Sequence, residues 1–267
     1  MDASNFISIE PQTLNLSLSQ HEVWLDQRAW PDSAHLNIGG GAYLVGEFDL
    51  RRFKAALSIL VAQNEALRLA PLTDGSQVLL AQFEPELEIV DLSATANPQQ
   101  AMRTWWQHRM RRPFVLEGQP PWRFALLVGG PQLHGLTIQF HHLVMDGWGT
   151  TLVMKRWSEI YNALEAGQPP AAPADPGYVH YIEESNSYRA GEAFGRDASF
   201  WQTQIGQMPP PLVERRYAGA RPRQLPHSQL AVQKIPRAAY AGLEAQGDPG
   251  VSAFNYFLAA LVLYFAR

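Results

Sequence analysis

Apolar residues recur along this chain at two spacings, and the changes between them mark where helices give way to strands. In "SLSQHEVWLDQ", Ser17 and Gln20 stand three apart, the spacing of a capping box, and Val23 and Trp24 follow as face residues; a helix is predicted from about Leu18. "GAYLVGEF" reads as a strand, with Gly39, Gly40 and Gly41 as a loop at its start. After Asp49 as N-cap, Phe53, Leu57, Leu60, Val61 and Asn64 fall on one helical face. "SQVLLAQF" and "LEIVDLS" predict two short strands, and Asn97 followed by Pro98 opens a helix through "ANPQQAMRTWWQHRM". "WRFALLV" and "LHGLTIQFHH" flank the turn Gly129-Gly130-Pro131 as two strands. Leu152, Met154, Trp157, Ile160, Tyr161 and Leu164 then return to helical spacing, with Gly167 placed to end the helix.

The pattern breaks at "GQPPAAPADPG", whose prolines forbid a helix and mark a linker. This predicts a first unit over 1–167, a linker and connecting helix over 168–226 that includes "RDASFWQTQI", and the start of a second unit over 227–267. "MPPPL" breaks the chain again, "SQLAVQKI" reads as a strand, and two helical runs close the sequence. The last, "FNYFLAALVLYFA", is too short to span a bilayer and reads as a core helix. It ends without a cap or breaker, so the chain is expected to be the N-terminal portion of a longer one.

Composition narrows the functional classes. The 267 residues carry 21 basic and 25 acidic side chains in no long runs, net charge -4, which gives no electrostatic basis for binding nucleic acid or an anionic membrane. The absence of cysteine excludes disulfides, thiolate metal sites and a cysteine nucleophile. "MDASNFISIE" lacks the regions of a signal peptide, and a cytoplasmic protein is expected.

The candidate chemistry lies in "QFHHLVMDGWG", at the end of a predicted strand. Strand parity places Leu136, Ile138, Phe140 and His142 on one face and Thr137, Gln139 and His141 on the other. Adjacent histidines that point opposite ways do not readily share one ion, and no HExxH or similar ligand set accompanies them, so a metal site is not expected. The plain alternative is a core histidine and a turn-forming aspartate. Against it, a chance HHxxxDG in such a composition is on the order of one in a thousand. A histidine at a strand end can enter a water-poor cleft and take a proton from an attacking amine or hydroxyl. Gly147 lets the chain turn and brings a backbone N–H close to a substrate.

HHLVMDGWG resembles the HHxxxDG core motif of condensation domains from nonribosomal peptide synthetases, in the chloramphenicol-acetyltransferase-like superfamily. "SLSQHEVW" is similar to that family's first motif, SxAQxRLW, keeping Ser17, Gln20 and Trp24. "NEALRL" resembles the second, RHExLRT, keeping Glu65, Leu67 and Arg68. "RPFVLEGQPPWR", "YVHYIEE", "DASFWQTQIGQMPPPL" and "VSAFNYFLAALVLYFAR" follow in the family's order, so the resemblance runs from about residue 14 to 267. Two positions depart from it: Gly149 stands where the family usually has serine, and Asn64 where it has histidine.

The resemblance implies an α/β chloramphenicol-acetyltransferase-like two-layer sandwich subdomain followed by the start of a second, with the active site in a tunnel between the two. It implies formation of an amide between a donor acyl or peptidyl thioester and the amino group of a carrier-bound aminoacyl acceptor. Donor and acceptor peptidyl carrier proteins would deliver the substrates on 4'-phosphopantetheine arms, beside an adenylation domain, with no directly bound cofactor or metal. By position His142 is the catalytic histidine, Gly147 offers an oxyanion N–H, Asp146 pairs with Arg68 to fix the loop, and His141 supports from behind. A fragment of this length would have little activity alone. A coenzyme A dependent acyltransferase of the same superfamily, or a noncatalytic platform docking a carrier protein, are the alternatives. Arg109, Arg111 and Arg112 are expected on solvated faces, with the phosphate of a carrier arm as their alternative partner.

Overall fold

The computed structural model describes residues 12–172, 177–206, 233–246 and 253–266. By packing, the chain divides into Met1–Phe200 and Trp201–Arg267. The first unit opens with strand β1 (Gln12–Asn15) and helix α1 (Leu18–Ala29). The capping box forms as the sequence predicts: the Ser17 hydroxyl accepts the Gln20 N–H, and the Gln20 side chain accepts the Ser17 N–H. Strand β2 (Asn37–Val45) leads to helix α2 (Leu50–Gln63), capped by Asp49, and to a short 3-10 turn, Glu65–Arg68. Asn64, expected on the buried face of α2, is its C-cap instead, and its side-chain amide donates to the Leu60 carbonyl.

The glycine run expected as a loop lies inside β2, paired residue for residue with the strand that carries the histidines. Gly39 has φ +150°, and a Cβ there would run into the Ile138 carbonyl, so only glycine allows the two backbones to approach so closely.

Strands β3 (Leu69–Pro71), β4 (Ser76–Leu79) and β5 (Leu87–Asp91) precede helix α3 (Pro98–Met110), which starts on Asn97 and Pro98 as predicted. Strands β6 (Trp122–Gly130) and β7 (Leu133–His141) form the hairpin, and helix α4 (Gly147–Glu165) follows. Gly167 ends α4 in the left-handed region, φ +66°; its N–H donates to the Leu164 carbonyl and that of Gln168 to Ala163, the Schellman pattern.

A small sheet has the order β1-β4-β3 and a larger one β2-β7-β6-β5, antiparallel except for the β5–β6 pair. One face of the larger sheet presents Phe124, Leu136, Ile138 and Phe140 to Phe53, Leu57 and Leu60 of α2 and to Val153, Trp157 and Ile160 of α4. The opposite face packs Ala125 and Leu127 against Met102 of α3, so β7 is buried on both sides over most of its length. Beyond the proline-rich stretch, helix α5 (Tyr178–Ala190) joins the main core through Ile182. Its N-cap, Gly177, has no side chain to offer, and the Glu65 carboxylate accepts the Val179 N–H in its place.

Helix α6 (Glu192–Ile205) crosses the boundary into the second unit, which also holds α7 (Arg237–Gln246) and α8 (Ala253–Phe265). Helix α8 forms where the sequence predicts a helical run, and Phe254, Leu261 and Tyr264 on it are exposed. The strand predicted at "SQLAVQKI" and the break at "MPPPL" lie outside the described residues, apart from Gln233–Ile235, which are not strand. No described helix is long and apolar enough to cross a membrane.

Candidate active site

The motif folds as a turn anchored by its apolar middle. Strand β7 ends at His141, and the Val144 N–H donates to the His141 carbonyl at 3.1 Å, so the chain turns at once. His142, the next residue, is exposed at the head of the turn, and its N–H donates to the Leu36 carbonyl at 2.8 Å. Leu143, Val144 and Met145 are only 2%, 4% and 8% exposed and sit in the main core. Burying those three side chains, at roughly 1.5–3 kcal/mol each, holds His142 and Asp146 outward at either end.

His141 lies behind this turn, fully buried. Its Nδ1 accepts the Leu143 N–H at 3.0 Å, which requires a lone pair there; the ring proton therefore sits on Nε2 and donates to Gln27 Oε1 at 2.9 Å. The Gln27 amide nitrogen donates to the carbonyls of Trp30, Pro31 and Ser33, which leaves its oxygen facing the ring. Desolvation, and then the neighbouring His142 and His35, push the His141 pKa down to about 4, so the ring is neutral at pH 7.

Asp146 is the N-cap of α4. Its carboxylate accepts the Gly149 N–H at 2.6 Å, and its backbone carbonyl accepts from the Thr150 N–H and hydroxyl. The expected pair with Arg68 is absent among the described residues: Arg68 donates to the carbonyls of Leu80 and Ala81 instead, at 2.6 and 3.2 Å. Only one Asp146 oxygen and one Arg68 terminal nitrogen are used in these bonds, and Arg68 Nε is buried without a hydrogen-bond partner among the described residues. Gly147 is the first residue of α4, where its N–H has no acceptor within the helix. Gly149 has a packing reason of its own, because a Cβ there would come within 2.6 Å of Met145 Sδ and 3.2 Å of Asp146 Oδ1.

A cleft of about 1090 Å³ opens beside the turn, lined by His142 and Asp146, by Ser19 and Gln20 of α1, and by Tyr178 and Tyr181 of α5, all within the first unit. Gly147 and Arg68 are not on its wall. The Tyr178 hydroxyl is held protonated, its pKa pushed up to about 12 by desolvation first and then by Tyr181 and the Asp146 charge. Among the described residues no cluster of three or more His, Cys, Asp or Glu could hold a metal. Arg109 is taken up by Glu88, at 2.5 Å, and by the Trp105 ring, so it is not a free solvated cation.

Sequence reasoning passed over Gln27, Tyr178 and the pairing role of Glu65. The one readable signal was that Gln20 and Gln27 stand seven apart, two helical turns, on one face of a predicted helix.

The fold and the turn together define a chloramphenicol-acetyltransferase-like α/β unit carrying an HHxxxDG motif. A family model described as "Condensation domain" matches residues 10–265, and the chain belongs to that family. It is 30% identical over 199 residues to an isonitrile lipopeptide synthase of Streptomyces coeruleorubidus, covering 73% of this chain and 14% of the relative. It is 26% identical over 206 residues to a dimodular nonribosomal peptide synthase of Bacillus subtilis, covering 74% of this chain and 9% of the relative. Among solved structures it is similar to the starter condensation domain of rhizomide synthetase, with TM-score 0.69 and 28% identity, over 75% of this chain and 50% of that one. The chain thus spans about half the length of the solved domain it matches and a small part of each synthetase.

Proposed function

We propose that this chain carries the histidine half of an amide-forming condensation site. The observation that carries the reading is His142, presented on a turn anchored in the core, at the wall of a cleft large enough for acyl and aminoacyl groups, in a chain of the condensation-domain family. An acceptor amine attacks the carbonyl carbon of a donor thioester. His142, whose ring has no hydrogen-bond partner among the described residues, orients the amine and takes its proton as the C–N bond forms. Collapse of the tetrahedral intermediate breaks the C–S bond, and the proton passes to the departing thiolate. The reading gives the oxyanion to the Gly147 N–H, which begins α4 next to the cleft residue Asp146 and lies at the positive end of the helix.

The donor and acceptor thioesters would arrive on the phosphopantetheine arms of peptidyl carrier proteins, beside an adenylation domain, in the cytoplasm. An acyl-CoA is a second candidate donor, because the related rhizomide starter domain has been solved in complex with C8-CoA. Amide formation should be compared in the full-length enzyme and in this 267-residue chain, with a loaded acceptor carrier and both donor types. Turnover in the full-length enzyme that drops ~10²–10⁴-fold in His142→Ala is expected. Undiminished turnover in that variant would overturn the reading, and acyl transfer by this chain alone to a free small acceptor would make it a stand-alone acyltransferase.

A further inference from the structure

Helix α1 buries two of its 12 residues, and both are glutamines, Gln20 and Gln27. Seven residues is close to two full turns, so the two amides stand on one side of the helix, about 10 Å apart along its axis. Each reaches a different side of His142. Gln27 Oε1 accepts from the ring of His141, the residue before it. Gln20 Nε2 donates to the carbonyl of Leu143, the residue after it, at 3.2 Å.

Neither amide is free to rotate. Gln20 exchanges hydrogen bonds with the Gln77 amide at 3.0 and 2.9 Å while its oxygen also accepts the Ser17 N–H, and Gln77 donates onward to the Asn15 carbonyl. Gln27 is fixed by three carbonyls at the end of its own helix. An apolar residue at either position would fill the space; a satisfied amide network also selects one geometry, since any other arrangement leaves a buried polar group unpaired.

We propose that Gln20 and Gln27 are positioning residues that clamp the His142 turn from both ends. Gln27 does so by selecting the Nε2–H form of His141, so that Nδ1 can hold the Leu143 N–H; Gln20 does so by holding the Leu143 carbonyl. The effect on turnover rests on the proposed role of His142, whereas the effect on the His141 ring does not.

Gln27→Glu and Gln20→Glu separate the clamp from mere packing. Gln27→Glu sets a carboxylate against Nε2 of His141, and ring ¹⁵N NMR of this chain should change from the neutral Nε2–H pattern to imidazolium at pH 7. Gln20→Glu keeps the acceptor that completes the capping box but loses the donor to Leu143, so the helix should persist by circular dichroism. In the full-length enzyme both variants should lower kcat ~10–100-fold with the acceptor KM within about twofold, the signature of a misplaced catalytic group. A wild-type ring pattern in Gln27→Glu, or an unchanged kcat in either variant, would overturn the clamp. Should His142→Ala prove fully active, the reading of the site falls, and the ring pattern still decides whether Gln27 sets the turn.

Discussion

Asp146→Ala distinguishes two accounts of the motif aspartate by magnitude. If the carboxylate were half of a buried ion pair with Arg68, removing it would cost ~3–5 kcal/mol by stranding the guanidinium. In the structure it is exposed, and its partner is the Gly149 N–H. Loss of an N-cap costs ~1 kcal/mol, and loss of a negative charge at a helix start about 0.5 more. The expected change is therefore about 1.5 kcal/mol. Asp146→Asn, which keeps an acceptor in the cap, should cost only about 0.5 kcal/mol. Urea unfolding of the single variants, of Arg68→Ala and of the double variant closes the test. Arg68→Ala removes two hydrogen bonds to Leu80 and Ala81, neither shared with Asp146, so the two substitutions should add to within ~0.5 kcal/mol. A coupling of ~2 kcal/mol or more would refute the cap assignment and restore the ion pair.

Two further outcomes follow from buried or strained groups. His141 has a folded pKa near 4 against 6.5 unfolded, so the unfolded chain binds the extra proton first as pH falls. Its contribution is fully present above pH 6.5, declines below it and is lost by about pH 4, on the order of 3 kcal/mol in all. Unfolding free energies between pH 7 and 4 should fall less steeply in His141→Asn, and equal slopes would contradict the assignment. Gly177→Ala should cost ~1–3 kcal/mol, because φ is +100° and the new Cβ would stand 2.5 Å from Glu65 Oε2; an unchanged melting temperature would show that the Glu65 cap on α5 is not needed.

The local elements were legible because short-range chemistry writes them. Ser17 with Gln20, Asp49, Asn97 with Pro98, and Gly167 each mark a helix end by satisfying backbone groups within a few residues. The hairpin of β6 and β7 and the HHxxxDG turn could likewise be placed from hydrophobic pattern and motif. Where the reading erred, a distant partner decided the outcome. The glycines of β2 became strand because β7 lies against them. The pairing of Gln27 with His141 spans 114 residues, and of Gln20 with Leu143 spans 123. The sequence by itself determined helices α1 to α4, their caps at Ser17, Asp49, Asn97 and Gly167, the hairpin and the identity of the histidine turn, but not α5, whose start depends on the distant Glu65. Only the tertiary structure decided which side chains hold that turn, since hydrogen-bond partners so far apart in sequence are selected by packing.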